Sequence, residues 1–266
     1  MTCKICGSNS EKIFEKIILQ KYPSGYYQCT HCDFIQTDET IWLKEAYTHA
    51  ITSLDIGLAS RNITLREEIK NIIDAYFPES KIYLDYAGGY GMFTRIMRDV
   101  GFDYYRQDDY CENIFANHFD ITDTQFKHFD MVTAFEVLEH FNAPLEEIKK
   151  VLDYSDTVIF STEIIPDSNA NIENWWYIAP ETGQHIAFYS KKSMQLIAEK
   201  FGRNYYCRNG NIHIFTTKKI SNFVKKPRKH FLYKYSIFNK KIKRKSLTET
   251  DFQYIKDILN SKTKSS

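Results

Sequence analysis

Three regimes of apolar and polar positions follow one another along the chain. From Lys81 onward, short apolar runs alternate with amphipathic segments, which predicts strands at 81–86, 103–107, 118–121, 129–135 and 156–162 and helices at 91–100, 110–117 and 144–153. Ser190 opens a further helix through Phe201, and strands at 204–208 and 211–217 flank Asn209-Gly210, a dipeptide that favours a tight hairpin. Successive β-α units of this kind wind around a parallel sheet, and a closing antiparallel hairpin separates this sheet from an ordinary doubly wound one. Upstream, residues 38–78 have helical spacing: Trp42, Leu43, Ala46 and Tyr47 share a face, as do Ile69, Ile72 and Ile73, and Pro78 terminates the pattern. The first 37 residues carry only short strand-like stretches, broken by a turn at Pro23, Ser24 and Gly25. No internal repeat is present. The pattern predicts an α/β protein with four zones: a small cysteine-bearing head (1–37), a helical bridge (38–78), a core (79–219) and a basic helical C-terminal extension (220–266).

Composition narrows the possible functions. The 266 residues are 43% hydrophobic and 26% charged, ordinary for a soluble globular protein, and no apolar run approaches the roughly 18 residues needed to cross a bilayer. The opening residues MTCKICGSNSEK lack the apolar stretch of a secretory signal, so the expected compartment is the cytoplasm, where clustered cysteines are read as metal ligands before cross-links. A formal net charge of +1 offers no global electrostatic reason for a nucleic-acid partner. Charge is nevertheless uneven: the segment from Lys218 to Lys245 holds twelve Lys or Arg and no acid. It is either a solvated helical face with a tail or a docking surface for an anionic substrate, polymer or membrane.

Two C-x-x-C knuckles, Cys3-Lys4-Ile5-Cys6 and Cys29-Thr30-His31-Cys32, lie 22 residues apart. Each places two thiolates on a tight turn, and together they complete the tetrahedral four-sulfur site that Zn²⁺ prefers. With all four corners filled there is no open position for substrate or water, so the expected role is structural, and His31 is a bystander.

The run Lys81-Ile82-Tyr83-Leu84-Asp85-Tyr86-Ala87-Gly88-Gly89-Tyr90-Gly91 is an apolar strand entering a small-residue turn, with a helix after it. Glycines let the chain turn sharply and let a ligand lie against bare backbone. A dinucleotide fingerprint starting at Gly89 and Gly91 would need a third glycine where Thr94 stands. Instead an acid, Asp85, precedes the small residues. About twenty residues on, Asp108, or its neighbour Asp109, ends the second strand, where a carboxylate can accept hydrogen bonds from both ribose hydroxyls. Asp120 or Asp123, near the third strand, is a candidate contact for an adenine amino group or a surface turn residue.

These features resemble the class I S-adenosylmethionine-dependent methyltransferases, specifically the Methyltransf_23-like group with a zinc-ribbon head. The likeness rests on DYAGGYG at 85–91, FDMVTAFEVLEH at 129–140 and WWYIAPETGQHIAFYS at 175–190, and covers about 80–217. Ala87 stands where the family's D-x-G-x-G-x-G loop has its first glycine. The resemblance implies a Rossmann-like methyltransferase sheet behind the zinc ribbon. It places S-adenosylmethionine among Asp85, Tyr86, Ala87, Gly88, Gly89, Gly91, Asp108, Asp120 and the chain near Phe135 and Glu136. It also implies a surface- or capsular-polysaccharide pathway, with a sugar, nucleotide-linked or phosphoramidate-type acceptor.

Candidate acceptor-side residues follow the fourth and fifth strands, where open α/β sheets place ligands. Glu136, Glu139 and His140 follow the fourth; His140 can titrate near neutrality as a base, or cap and pack. Glu163 follows the fifth. Trp175, Trp176 and Tyr177 form either a stacking lid or core. His185, in the polar turn Glu181-Thr182-Gly183-Gln184-His185, is the first choice as base or as anchor for an anionic oxygen, with Gln184 and Tyr189 as further contacts. The leading expectation is an O-methyltransferase acting on a small-molecule or saccharide acceptor. An RNA methyltransferase and a non-catalytic S-adenosylmethionine-binding scaffold are the alternatives.

Overall fold

The structure is a computed structural model that describes residues 1–48, 51–166, 171–221, 223 and 244–263. In chain order its strands and α-helices are β1 (Ser10–Ile18), β2 (Tyr22–Cys29), β3 (Ile35–Thr37), α1 (Leu43–Ala46), α2 (Leu58–Tyr76), β4 (Ile82–Tyr86), α3 (Met92–Asp99), β5 (Asp103–Gln107), β6 (Met131–Phe135), α4 (Pro144–Leu152), β7 (Thr157–Ser161), β8 (Ala187–Phe188), α5 (Lys191–Lys200), β9 (Asn204–Arg208), β10 (Ile212–Thr216) and α6 (Thr248–Thr263). Six strands make one sheet, in the order β5-β4-β6-β7-β10-β9. β4 runs parallel to β5 and β6 to β7, whereas β10 is antiparallel to both β7 and β9. This is the mostly parallel sheet with a closing hairpin that the sequence pattern predicts. β7 and β10 are buried along their whole length, as central strands covered on both faces must be, while edge strand β9 is half-exposed throughout.

Two predicted elements are corrected. Residues 110–117 form bends and turns rather than a helix. Asn113 explains why: its side chain accepts from the Ala116 amide (2.9 Å) and donates to the Ala116 carbonyl (2.7 Å), while Ile114 and Phe115 both donate to the Tyr90 carbonyl. These bonds occupy the groups a helical ladder would use. The strand expected at 118–121 shrinks to one bridge, Arg106 with Asp120, because His118 sits at a φ of +70° and breaks the extended run.

The chain forms two compact units, residues 1–55 with 132–225 and residues 56–131 with 226–266. In the first, β1, β2 and β3 make an antiparallel sheet whose fourth strand is β8, paired through Ile35 with Phe188 and Gln36 with Ala187. One apolar core, including Ile18, Tyr26, Ile35, Trp42, Tyr177 and Ile186, is therefore shared by the head and the 177–188 segment. The Trp42 indole donates to the Gly183 carbonyl at 2.8 Å. Gly183 has a φ of +65°, and a Cβ there would lie 2.9 Å from Ile18 Cγ2, so only glycine fits. The Ser190 hydroxyl caps α5 by accepting from the Ser193 amide and donates to the Cys32 carbonyl at 2.6 Å.

In the second unit, α2 buries Leu65, Ile69, Ile72 and Ile73, the helical stripe the sequence predicts. Arg98 on α3 is buried and donates to both Asp251 oxygens (2.8 and 2.7 Å), to Asp103 (2.5 Å) and to the Tyr104 carbonyl (2.9 Å). That fork latches α6 in place. α6 is not itself basic: Glu249, Asp251 and Asp257 balance its cations. The basic run from Lys218 to Lys245 lies largely outside the described residues.

His213 on β10 is fully buried, stacked on Phe160, with its Nε2 facing the Thr162 carbonyl and its Nδ1 facing the Tyr205 hydroxyl, both at 2.9 Å. Burial lowers its pKa to about 4. The folded value lies below the unfolded value of about 6.5, so the stabilisation from the neutral ring is complete above that pH and is lost as pH falls toward 4. Urea denaturation across this window should show stability falling with pH, and in His213→Gln the fall should be shallower by roughly 2–4 kcal/mol. An identical pH slope in the variant would show that His213 is not the group responsible.

Candidate active site

β4 delivers Asp85 and Tyr86 to the turn Ala87-Gly88-Gly89-Tyr90-Gly91, which leads into α3. Asp85 is buried and accepts from the Thr94 hydroxyl at 3.2 Å. A Cβ at position 88 would fall 2.6 Å from Asp85 Oδ2, and one at 91 would fall 2.5 Å from Asn113 Oδ1. Gly91 also adopts a φ of +83°. Ala87, in the position where the resemblance expects glycine, has a φ of +53°, the left-handed region that a Cβ disfavours.

Asp108 organises this turn. Its Oδ2 accepts from the Gly89 amide (2.9 Å), and its Oδ1 accepts from the Tyr110 and Cys111 amides (2.8 and 2.7 Å). A carboxylate has about four lone-pair positions, so one is left for a ribose hydroxyl. Asp109 instead accepts from the Gln107 side chain. Asp120 is engaged by Arg106, whose Nε donates to it at 2.6 Å, and Asp123 accepts from the Asp120 amide. Arg106 also reaches the carbonyls of Gly89 and Cys111. Arg106 was not foreseen: a single arginine among tyrosines in a strand carries no motif, and its role becomes visible only when the strand and the turn meet. A bare-backbone turn with an acid at its entrance and a carboxylate at the end of the next strand suits an adenosyl group.

In the first unit, a second group of polar side chains gathers at the carboxyl ends of β6 and β7. Glu136 follows Phe135 directly and sits at a φ of +54°. Its amide donates to Ser161 Oγ (2.9 Å), and that hydroxyl donates back to Glu136 Oε1 (2.6 Å). The Tyr177 hydroxyl bridges Thr162 (3.2 Å) and Glu136 Oε2 (3.5 Å). Each of two histidines faces a carbonyl through Nδ1, His140 that of Gln184 (3.0 Å) and His185 that of Tyr177 (2.6 Å), and their rings meet edge to face at 5.1 Å. A ring nitrogen from each and a carboxylate oxygen of Glu139 all lie within 4.8 Å of one another.

Burial dominates the acid-base behaviour of this group. It lowers His140 to about 3, helped by neighbouring His185 and opposed by the carbonyls of Gln184 and Glu136. His185 is also lowered by burial, against the Tyr177 carbonyl and the charge of Glu136. Glu163 is raised, first by burial and then by Glu136, and Tyr177 is raised well above its ordinary value by burial and by Glu139 and Glu136. Both imidazoles are therefore neutral near pH 7.

The aromatic and polar neighbours divide sharply. Trp176 is 72% exposed, whereas Trp175 packs against the shared core and Tyr177 belongs to it. Gln184 is buried and donates to the Ala46 carbonyl, and Tyr189, with no exposed surface, donates its hydroxyl to the Leu138 carbonyl. Gln184 and Tyr189 thus belong to the scaffold around the histidines. Ser161 and Thr162 join the group without having been foreseen from sequence, whereas Glu139 is a candidate that the sequence offers with Glu136 and His140.

At the N-terminus the four cysteine sulfurs of the knuckles also lie within 4.8 Å of one another, with Cys3 to Cys32 at 3.6 Å and Cys6 to Cys29 at 3.4 Å. The separations are far beyond a disulfide bond and close to the roughly 3.8 Å edge of a tetrahedron with Zn–S bonds of about 2.3 Å. Backbone amides of Ile5, His31 and Cys32 point at the sulfurs of Cys3 and Cys29, which favours thiolates. His31 is exposed and outside the cluster.

Residues 61–207 match the methyltransferase-domain family. No curated protein matches the chain. Solved structures with a similar fold include TnmH (12% identity, 66% of this chain and 61% of that one, TM-score 0.43). CalO1, a methyltransferase in calicheamicin biosynthesis in its SAH-bound form, has 13% identity over 66% of this chain and 61% of that one, with a TM-score of 0.42. Magnesium protoporphyrin IX methyltransferase (ChlM) from Synechocystis PCC 6803 with bound SAH has 11% identity over 66% of this chain and 94% of that one, with a TM-score of 0.39. The chain thus spans less than two thirds of the length of TnmH and of CalO1.

The left-handed Ala87 generates a stability test. Ala87→Gly should stabilise the protein by about 1 kcal/mol, because relief of the Cβ clash outweighs the added freedom of the unfolded chain. Chemical denaturation would measure this, and a destabilised variant would show that the turn tolerates alanine without strain.

Proposed function

This chain belongs to the methyltransferase-domain family, and from that membership we propose that it transfers a methyl group from S-adenosylmethionine to a hydroxyl oxygen of a sugar or nucleotide-linked sugar of surface-polysaccharide chemistry. The observation that carries the acceptor side is the neutral histidine pair at the carboxyl ends of β6 and β7, each ring oriented by a backbone carbonyl. S-adenosylmethionine supplies an electrophilic methyl group on a sulfonium. Asp85, Tyr86 and Ala87 to Gly91 form the turn that would hold the cofactor, with Asp108 accepting from the ribose. Asp120 pairs with Arg106, which in turn donates to the Gly89 carbonyl of the turn. Phe135 and Glu136, at the end of β6, are the further cofactor-side residues that the resemblance assigns.

His185 is the base in this reading. Donation from Nδ1–H to the Tyr177 carbonyl leaves Nε2 with the lone pair, which takes the acceptor proton as the new C–O bond forms. The charge of Glu136 stabilises the resulting imidazolium, His140 holds the neighbouring ring, and Glu163 completes the acidic wall. Three carboxylates at the site oppose an anionic acceptor, so a neutral hydroxyl fits better than a phosphoramidate oxygen. Exposed Trp176 offers a face on which a sugar can stack, and Trp175 and Tyr177 support it from the core.

Cys3, Cys6, Cys29 and Cys32 hold one structural Zn²⁺ in the same proposal. Its task is to brace β3, the strand that pairs with β8 two residues beyond His185.

Purified protein incubated with methyl-labelled S-adenosylmethionine and cell extract should label the saccharide or nucleotide-linked fraction. In His185→Ala that label should fall by about 10²- to 10⁴-fold while cofactor binding is retained. Label confined to RNA, or cofactor binding with no turnover in any fraction, would overturn the assignment. For the zinc, modification of the cysteine thiols should release one equivalent per chain, and Cys29→Ser should bind none through these thiols and melt at a lower temperature. A zinc-free Cys29→Ser with the wild-type melting temperature would remove the bracing role.

A further inference from the structure

The group Glu139, His140 and His185 has a second chemical meaning. One carboxylate oxygen and one nitrogen from each imidazole converge within 4.8 Å of one another, so shifts of a few tenths of an ångström bring all three inside the roughly 4.4 Å that one ion with bonds of about 2.0–2.2 Å spans at most. The histidines are also prepared in the way metal-bound imidazoles are. Each faces a backbone carbonyl through Nδ1, Gln184 for His140 and Tyr177 for His185, which fixes the proton on that nitrogen and makes Nε2 the donor atom. The scaffold then sets the ring planes: His140 lies in the short 3-10 turn Leu138–His140, and the Ile186 amide binds the Glu139 carbonyl at 2.9 Å, tying the third ligand's segment to the turn.

From this geometry we infer that Glu139, His140 and His185 form a site for a divalent first-row transition ion, separate from the cysteine centre, whose remaining coordination positions take an oxygen of the acceptor. Two nitrogens and one carboxylate oxygen select ions of the Mn²⁺, Fe²⁺, Co²⁺ and Zn²⁺ class over Mg²⁺ or Ca²⁺, which prefer all-oxygen shells. Three protein ligands on one side leave positions open, the arrangement of a catalytic rather than a structural site. The binding site rests on the donor arrangement alone, and its role in turnover rests on the O-methyl transfer proposed above. In that role a coordinated hydroxyl is acidified, its proton passes to Glu136, and the oxygen attacks the methyl carbon as the carbon–sulfur bond breaks with its electron pair left on sulfur. With the ion bound, His185 serves as a ligand and Glu136 takes the proton; without it, His185 keeps the role of base proposed above.

Mn²⁺ separates the possibilities, because it does not displace zinc from four thiolates. Zinc-loaded full-length protein titrated with Mn²⁺ and followed by electron paramagnetic resonance should bind one equivalent, with nitrogen couplings from imidazole in the pulsed spectrum. Glu139→Gln and His185→Gln, shown to be folded by circular dichroism, should each weaken binding by about a hundredfold or more. The wild-type nitrogen couplings decide the matter even if both variants fail to fold. No saturable binding at millimolar Mn²⁺, bound Mn²⁺ without imidazole couplings, or unchanged affinity in the folded variants would overturn the site. Mn²⁺ binding on these residues without methyl transfer supports the site and counts against the methyltransferase proposal. Transfer by protein that binds no Mn²⁺ does the reverse.

Discussion

Much of the first unit depends on one short strand pairing. β8 has only two residues, and its hydrogen-bonding partner is β3 of the cysteine-bearing head. The segment leading into it carries His185, and its neighbour Ile186 is held on both sides: the Ile186 amide binds the Glu139 carbonyl, and the Ile186 carbonyl accepts from the Thr37 amide. Buried backbone groups need partners, and here the partners are a turn of the sheet unit and a strand of the head. The Cys32 carbonyl, inside the second knuckle, accepts from Ser190 at the start of α5. A few hydrogen bonds therefore connect the cysteine cluster to the segments that carry His140 and His185.

Two non-glycine residues in left-handed conformation mark the carboxyl ends of neighbouring strands in the sheet, Ala87 after β4 and Glu136 after β6. Each such conformation costs about 1–2 kcal/mol and persists only where neighbours over-determine it. At Glu136 the neighbour is Ser161, which exchanges two hydrogen bonds with its amide and carboxylate. At Ala87 the neighbours are the bonds that anchor the rest of the turn, from the Gly89 amide to Asp108 and from Arg106 to the Gly89 carbonyl. Arg106 is the buried cation that makes this network possible, and Asp120 balances its charge.

The group of Glu139, His140 and His185 is polar, with Glu139 buried and both histidines half-buried. The two imidazoles are oriented by backbone carbonyls, and the Tyr177 hydroxyl by Thr162 and Glu136, so the group is arranged in advance of any ligand. The carboxylates of Glu136, Glu139 and Glu163 give this part of the unit a field that opposes a bare anion.

The apolar rhythm from Lys81 to Thr217 determined the β-α order, the closing hairpin and most element boundaries, because alternation and amphipathicity are local consequences of burial. The C-x-x-C pairs likewise announced the four-sulfur cluster. Local pattern failed where side chains competed with the backbone, at Asn113 and at His118, whose effects on conformation cannot be read from periodicity. Tertiary structure alone decided that β3 pairs with β8 and that Trp42 and Gly183 touch across 141 positions. It also decided that Tyr189 and Gln184 serve the scaffold, and that Glu139 joins two histidines in one cluster. Those outcomes depend on contacts between residues far apart in the chain, and such contacts are set by which surfaces fit together rather than by any property of the segments themselves.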